Sequence, residues 1–251
     1  MIKYDFHLHT DFCDGANTPE EMVKQAIEQN LESLGITCHA YTPFDPRYCI
    51  KPEKIQLFIN EVARLKEEYK DKINISCGVE YDIYSEIDVT KFDYVIGSVH
   101  YVKKDGEYFE IDESKLDFIT IVKEKYNGDV YALIEDYYDT VGKLCLNITP
   151  TFIAHLDLIS KFNKDGDLFD ENNDRYVNAW KKAVDTLMEH VTVFEINTGA
   201  MSRGYQDRPY PSESQIAYIK SKGGSFILSS DAHSIYNLAY KFNEFEKYLD
   251  K

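Results

Sequence analysis

The chain has 251 residues, 43% of them hydrophobic, and a formal net charge of −16. That apolar content can bury a sizeable core and excludes a disordered chain, and the length suits one large domain such as a (β/α) barrel. The acidic balance excludes a general binder of the nucleic-acid backbone, but not a small anion held by local cations in a cleft.

Apolar runs of strand character alternate with helical patterns from end to end. The run KYDFHLH (3–9) is read as a strand with His7 and His9 on one face and Phe6 and Leu8 on the other. TPEEMVKQAIEQN follows as a helix, with Thr18 as N-cap, Pro19 at the first helical position and Glu21 closing a capping box. SLGITCH (33–39) is a second strand, ending on His39. KPEKIQLFINEVARLKEEYKD then spaces Ile55, Phe58, Ile59, Val62 and Leu65 at a helical period. INISCGVE (73–80) and DYVIGSVH (93–100) are strands ending on Glu80 and His100, and 112–147 reads as one or two helices. FIAHLD (152–157) carries His155, and NDRYVNAWKKAVDTLMEH (173–190) is helical. VFEINT (193–198) is the sixth strand, YPSESQIAYIKSKGG a capped helix closed by Gly223 and Gly224, and FILSSD (226–231) the seventh strand, just before His233.

Strands alternating with helices imply parallel pairing through right-handed crossovers. Seven of them suit a closed, TIM-like (β/α) barrel one unit short of eight, within a single domain spanning 1–251; an open doubly wound sheet is the alternative. The five cysteines form no CxxC pair, no secretory signal pattern precedes them, and no apolar run approaches the roughly 18 residues of a membrane span. A reduced, cytoplasmic protein is the expectation.

Six of the seven histidines fall at or just beyond the C-terminal end of an expected strand: His7, His9, His39, His100, His155 and His233. Glu80 and Asp231 do the same, while His190 ends a helix and has no assigned role. Barrel enzymes place their sites on that rim. Imidazoles and carboxylates so crowded are hard to satisfy without a cation. The nitrogen and oxygen donors suit zinc, iron(II) or manganese. Asp14 lies in an Asp-Gly turn beside the first strand, and the acidic stretch 163–174 reads as a solvated loop. Asp45, Asp82, Glu86 and Asp207 are acids on rim loops, and Tyr41, Phe44, Tyr101 and Tyr205 are candidate walls of a pocket.

The segments DFHLHTDFCDG, GITCHAY, GVEYD, VIGSVHYV, IAHLDLISKFN, FEINTGAMSRG and FILSSDAHS together resemble the successive motifs of the PHP (polymerase and histidinol phosphatase) family, in its histidinol-phosphate phosphatase branch. The resemblance implies a distorted (β/α)7 barrel and three divalent metal ions. It implies a first metal on His7, His9, Glu80 and Asp231, a second on Glu80, His100 and His155, and a third on Asp14, His39 and His233. Glu80, Asp231 and His233 would be catalytic, with the leaving alkoxide protonated by Asp231 or by a metal-bound water. Arg203 would grip phosphate, and Lys161 stands where the branch carries a second arginine. The implied activity is hydrolysis of the small molecule L-histidinol phosphate in histidine biosynthesis. The alternatives are a family phosphoesterase acting on another small phosphate, a phosphotyrosine or a nucleotide, and a non-catalytic metal-binding regulatory module.

Overall fold

In the computed structural model, which describes residues 2–249, the alternation becomes a nearly closed barrel. Among the described residues the chain order is β1 (Tyr4–Asp5), α1 (Pro19–Glu28), β2 (Ser33–Ile36), α2 (Ile55–Glu68), β3 (Asn74–Asp82) and β4 (Tyr94–Ser98). A hairpin of β5 (Tyr101–Lys104) and β6 (Glu107–Glu110) follows, then α3 (Lys115–Lys125), α4 (Val130–Val141) and β7 (Phe152–Ile153). The chain finishes with α5 (Asp174–Leu187), β8 (Val193–Asn197), α6 (Gly199–Ser202), α7 (Glu213–Ser221), β9 (Ser225–Ser229) and α8 (Phe242–Phe245). The barrel order is β1-β2-β3-β4-β7-β8-β9, every pair parallel.

Local chemistry starts the helices where the sequence indicates. Glu21 N donates to Thr18 Oγ1 (3.3 Å) and Thr18 N to Glu21 Oε2 (2.8 Å), closing the capping box at α1. The apolar stripes face the barrel. Met22 and Val23 of α1 and Phe58, Val62 and Leu65 of α2 pack with Leu8, Leu34 and Ile36. Trp180, Val184 and Leu187 of α5 join Leu133 and Tyr137 of α4 over Phe194, Ile196 and Leu228. Each fully buried leucine here contributes about 1.5–3 kcal/mol.

The first strand differs from expectation. Its ladder stops at Asp5, and the next pairing is one parallel bridge from Leu8 to Ala232. Between them side chains do most of the ladder's work: Tyr94 Oη donates to the Phe6 carbonyl (2.7 Å), Thr37 Oγ1 to the Leu8 carbonyl (2.6 Å), and Leu8 N to Thr37 Oγ1 (3.2 Å), with one backbone bond from Thr37 N to the Leu8 carbonyl (3.2 Å). The break in alternation separates Phe6 from Leu8. Leu8 packs in the outer layer, whereas Phe6 joins Tyr94, Ile96, Phe152, Ala154, Val193 and Ile227 in the inner cluster. They do not share the packing face that strict alternation requires.

Asp5, wholly buried, closes the seam between the first and last strands. Its Oδ1 accepts from Ser230 N (3.1 Å) and His7 N (3.4 Å), and its Oδ2 from Ala239 N (3.1 Å) and Ser230 Oγ. Tyr94 floors the rim. A Cβ on Gly35 would come within 2.1 Å of its hydroxyl, and one on Gly78 within 2.2 Å of its ring. Both glycines are therefore a condition of its reach.

The β5–β6 hairpin lies outside the seven-strand series, though its signal was in the sequence. YVKKDGEYFE places Asp-Gly between short runs, and Asp105 (φ 51°) and Gly106 (φ 87°) form the left-handed turn that this dipeptide favours. The acidic stretch 163–174 is exposed over 164–167, but its ends are tied in. Asn163 Oδ1 accepts from Leu168 N and Phe169 N (both 3.1 Å), and Glu171 pairs with Arg208 (2.9 Å).

Candidate metal centre

The parallel strands deliver their last residues to one rim. His39 and Glu80 form a parallel bridge just beyond β2, with Ala40 N donating to the Glu80 carbonyl (2.8 Å). His100 and His155 each stand two residues past a strand end, on β4 and β7. Asp231 stands two past β9 and adopts φ 51°, a left-handed conformation uncommon outside glycine and characteristic of functional turns.

Glu80 is the hub. Its Oε2 lies 2.9 Å from His39 Nδ1, 3.2 Å from His7 Nε2 and 3.3 Å from His9 Nε2, and its Oε1 lies 2.9 Å from His155 Nε2 and 3.4 Å from His100 Nε2. Asp231 Oδ1 adds a carboxylate 3.4 Å from His9 Nε2 and 3.7 Å from His7 Nε2. Asp14 reaches His233 Nε2 (3.2 Å) and His39 Nε2 (3.7 Å). Four sets of these side chains present donor atoms close enough to share an ion: His9, Asp14, His39 and His233; His7, Glu80 and His155; His7, His9 and Asp231; His39, Glu80 and His100.

The residues fit cations rather than a closed hydrogen-bond network. Glu80 Oε2 is buried and accepts no hydrogen bond, despite three imidazole nitrogens within 3.3 Å. Asp14 Oδ1 is buried and orphaned in the same way. His7 Nε2 and His9 Nε2 face each other at 3.2 Å, where two lone pairs need something positive between them. Nitrogen and oxygen donors of this kind are those of zinc, iron or manganese sites.

In the metal-free chain protons on His7, His9 and His100 take part of the cations' place. Burial alone would push the His7 imidazole down, but the Glu195, Glu80 and Asp231 carboxylates outweigh it and hold it well above its usual range. Burial opposes the charge of His100 too, yet Glu80 and Asp82 lift it to about 10. Conversely, His39, His7 and His100 overcome burial and hold the Glu80 carboxyl well below its usual range. The stability sign follows. A histidine raised from 6.5 to about 10 stabilises the metal-free fold fully below pH 6.5 and loses that contribution as pH rises toward 10. Metal ions displace those protons and bind more tightly as pH rises. Calorimetry of metal-loaded and chelator-treated protein should therefore show a gap in Tm that widens from pH 6.5 to 10. A gap that narrows over that window would contradict this electrostatic picture.

Above the cluster opens a cleft of about 330 Å³. Its floor includes Asp14, His39, Glu80, His100, His155, Asp231 and His233. Arg203 projects in from one side, with Nη2 donating to Asp231 Oδ2 (3.1 Å) and Nη1 to the Asp231 carbonyl (3.1 Å). Lys161 lines the cleft as well, donating to the Asp112 carbonyl (2.6 Å) and Oδ2 (3.0 Å). It is not a freely solvated lysine.

Another wall is acidic and comes from the loop after β2, the end of β3, and the chain at and just beyond the end of β6. Asp45, Asp82, Glu110, Asp112 and Glu113 line it. Burial, reinforced by Asp112 and Glu113, raises the Glu110 carboxyl to about 8. The expected aromatic wall is only partly there. Tyr101 and Tyr205 line the cleft together with Tyr48, while Phe44 is stacked on Tyr108 (ring centroids 3.8 Å) and neither it nor Tyr41 reaches the lining. Glu86 and Asp207 are also absent from the lining, Asp207 being exposed and paired with Lys164.

Three carboxylates act on this site, of which sequence reading placed Asp82 on the rim and passed over Asp112 and Glu195. Asp82 accepts from His100 N (2.7 Å), Asp112 holds Lys161, and Glu195 meets His7 Nδ1 at 2.7 Å. A signal for Glu195 was present. In VFEINT, Glu195 and Asn197 alternate with Phe194 and Ile196, which puts the polar pair on the inner face of a barrel strand.

Comparison with known proteins bears on what this rim does. The sequence model of the PHP domain matches residues 5–199. Histidinol-phosphatase of Bacillus subtilis is 25% identical over 271 aligned positions, covering 98% of each chain. A solved structure from Listeria monocytogenes shares the fold with a TM-score of 0.82 at 18% identity, over 97% of this chain and 100% of that one. The histidinol phosphate phosphatase of Lactococcus lactis, solved with zinc, L-histidinol and phosphate, gives a TM-score of 0.60 at 19% identity, over 98% of this chain and 93% of that one.

Proposed function

Because the chain belongs to the PHP domain family, we propose that it is a metal-dependent phosphomonoesterase converting L-histidinol phosphate to L-histidinol and phosphate. The observation that supports this most directly is the two-sided cleft, with a floor of clustered ligand candidates and an acidic wall whose side chains outnumber the two cations paired with them, Arg47 and Lys161. A phosphate ester carrying a cationic amine matches both halves, with its anion over the floor and its ammonium toward the wall.

The ligand assignment we propose has three ions: one on His7, His9, Glu80 and Asp231, one on Glu80, His100 and His155, and one on Asp14, His39 and His233. Bound there, such ions supply an activated water and neutralise the phosphoryl oxygens as charge moves to the leaving group. The chain's own groups do the rest. Arg203, anchored on Asp231, keeps its guanidinium over the floor to donate charge-assisted hydrogen bonds to phosphate. Lys161 adds a point charge, without the bidentate fork of an arginine. Burial would raise the Asp231 carboxyl, but Arg203 and His7 outweigh it and hold it well below its usual range. Asp231 thus stays ionised and serves as a ligand and anchor rather than a proton donor.

The test is phosphate release by metal-loaded protein from histidinol phosphate, phosphotyrosine and nucleotide monophosphates. We expect kcat/KM for histidinol phosphate to exceed the others by at least about tenfold, the lower end of the discrimination that pocket contacts provide. A value no higher than the rest of the panel would overturn the substrate assignment. No turnover on any substrate with the metal sites filled would make the chain a binding module.

A further inference from the structure

Glu195 is wholly buried on the inner face of β8 and does not line the cleft. Its two oxygens nonetheless hold two different parts of the metal cluster. Oε1 lies 2.7 Å from His7 Nδ1, and Oε2 accepts from the backbone N of His155 (2.8 Å). Oε2 also accepts from Asn197 Nδ2 (2.9 Å). The Asn197 amide is itself oriented, because Gly199 N donates to its Oδ1 (2.8 Å).

His7 and His155 are also the pair that Glu80 spans from the other side, through His7 Nε2 (3.2 Å) and His155 Nε2 (2.9 Å). The four residues close a ring in which Glu80 faces the cleft and Glu195 lies behind it. A carboxylate accepting from Nδ1 keeps the proton of a neutral imidazole there and leaves Nε2 as a bare lone pair. His7 Nε2 is the atom turned toward Glu80, His9 and Asp231.

We infer that Glu195 is a positioning residue for metal binding: it sets the tautomer of His7 and the backbone position of His155, so that both present Nε2 to the ions. This inference rests on the metal-site reading above. An amide at this position would fail for a definite reason. Glutamine has one acceptor oxygen, whereas His7 Nδ1–H, His155 N–H and the Asn197 amide all require acceptors. If the amide NH2 faces His7, the imidazole must carry its proton on Nε2, where it blocks the metal. If it faces His155, two donors oppose each other and the strand end shifts.

The experiment compares wild type, Glu195→Gln and Glu195→Asp by chelator competition with zinc and by the visible spectrum of the cobalt-substituted proteins. Circular dichroism of the metal-free forms serves as the control for folding. Loss of an outer partner of a metal-bound histidine typically costs about 10–100-fold in affinity. We expect a loss of that size in Glu195→Gln with an altered cobalt spectrum, and partial recovery in Glu195→Asp, which keeps both acceptor oxygens. Wild-type affinity and spectrum in a folded Glu195→Gln protein would overturn the inference. Wild type that binds neither metal would instead overturn the metal-site reading. Should Glu195→Gln not fold, Asn197→Ala carries the test, with a smaller loss in the same direction expected and unchanged affinity counting against the inference.

Discussion

Replacing Glu80 with glutamine is expected to lower kcat/KM by more than about a thousandfold, a loss of roughly 4 kcal/mol in transition-state stabilisation. Five imidazoles lie within 3.4 Å of this one carboxylate, three on Oε2 and two on Oε1. Among the described residues no other side chain reaches so many of the proposed ligands. The amide keeps the volume but removes the charge and turns one oxygen into a donor, aimed at nitrogens that must stay unprotonated to hold metal. Bound metal should fall along with activity, so steady-state kinetics and metal content need to be measured on the same preparation. Because Glu80 also makes backbone bonds to Cys38 and Ala40 through its own N–H and carbonyl, the strand register survives the change. Near-normal turnover with full metal content would remove Glu80 from the centre of the site.

A second large effect is expected in stability, from a residue just behind the site. Asp5→Ala should destabilise the fold by about 3–5 kcal/mol, the range for removing one partner of a buried, charged hydrogen-bond cluster. For a chain of this size that is a drop in Tm of about 10 °C. The substitution strips acceptors from Ser230 N, Ser230 Oγ, Ala239 N and His7 N, all at the seam where β1 and β9 share no ladder. Burial raises the Asp5 carboxyl to about 6, so melting at pH 8 compares the variant with the ionised form that accepts all four bonds. Calorimetry of metal-loaded protein at that pH gives the answer. A shift of only a degree or two would mean that the outer helices, not Asp5, hold the seam closed.

What was legible in the sequence was whatever depends on local periodicity. The seven strands and the capped start of α1 needed only alternation and short-range chemistry, and strand ends then brought the histidines to one rim. Less visible was anything whose partner lies far along the chain. Asp5 meets Ser230 across 225 positions, and Glu195 meets His7 across 188; the alternation in VFEINT puts Glu195 on the inner face, but nothing local names the partner of either carboxylate. Phe6 and Leu8 misled for the opposite reason. Alternation assigned them one face, but hydrogen bonds from Tyr94 and Thr37 let the backbone leave its ladder between them. Of the acidic wall, Asp45 and Asp82 were legible as rim acids, whereas Glu110, Asp112 and Glu113 escaped because they sit at and just after the end of a hairpin that interrupts the strand–helix rhythm.

The tyrosine beneath the rim has a consequence for how the sequence can drift. Tyr94, Gly35 and Gly78 lie on three neighbouring strands, and the ring of the first fills the space that side chains at the other two would need. No single step from glycine at 35 or 78 is neutral while the tyrosine remains. Shrinking Tyr94 first forfeits its bond to the Phe6 carbonyl, which supports the start of the segment carrying His7 and His9. The three positions are therefore coupled in descent, and a homologue with a smaller residue at 94 should carry larger ones at 35 and 78, along with a different support for its first pair of histidines.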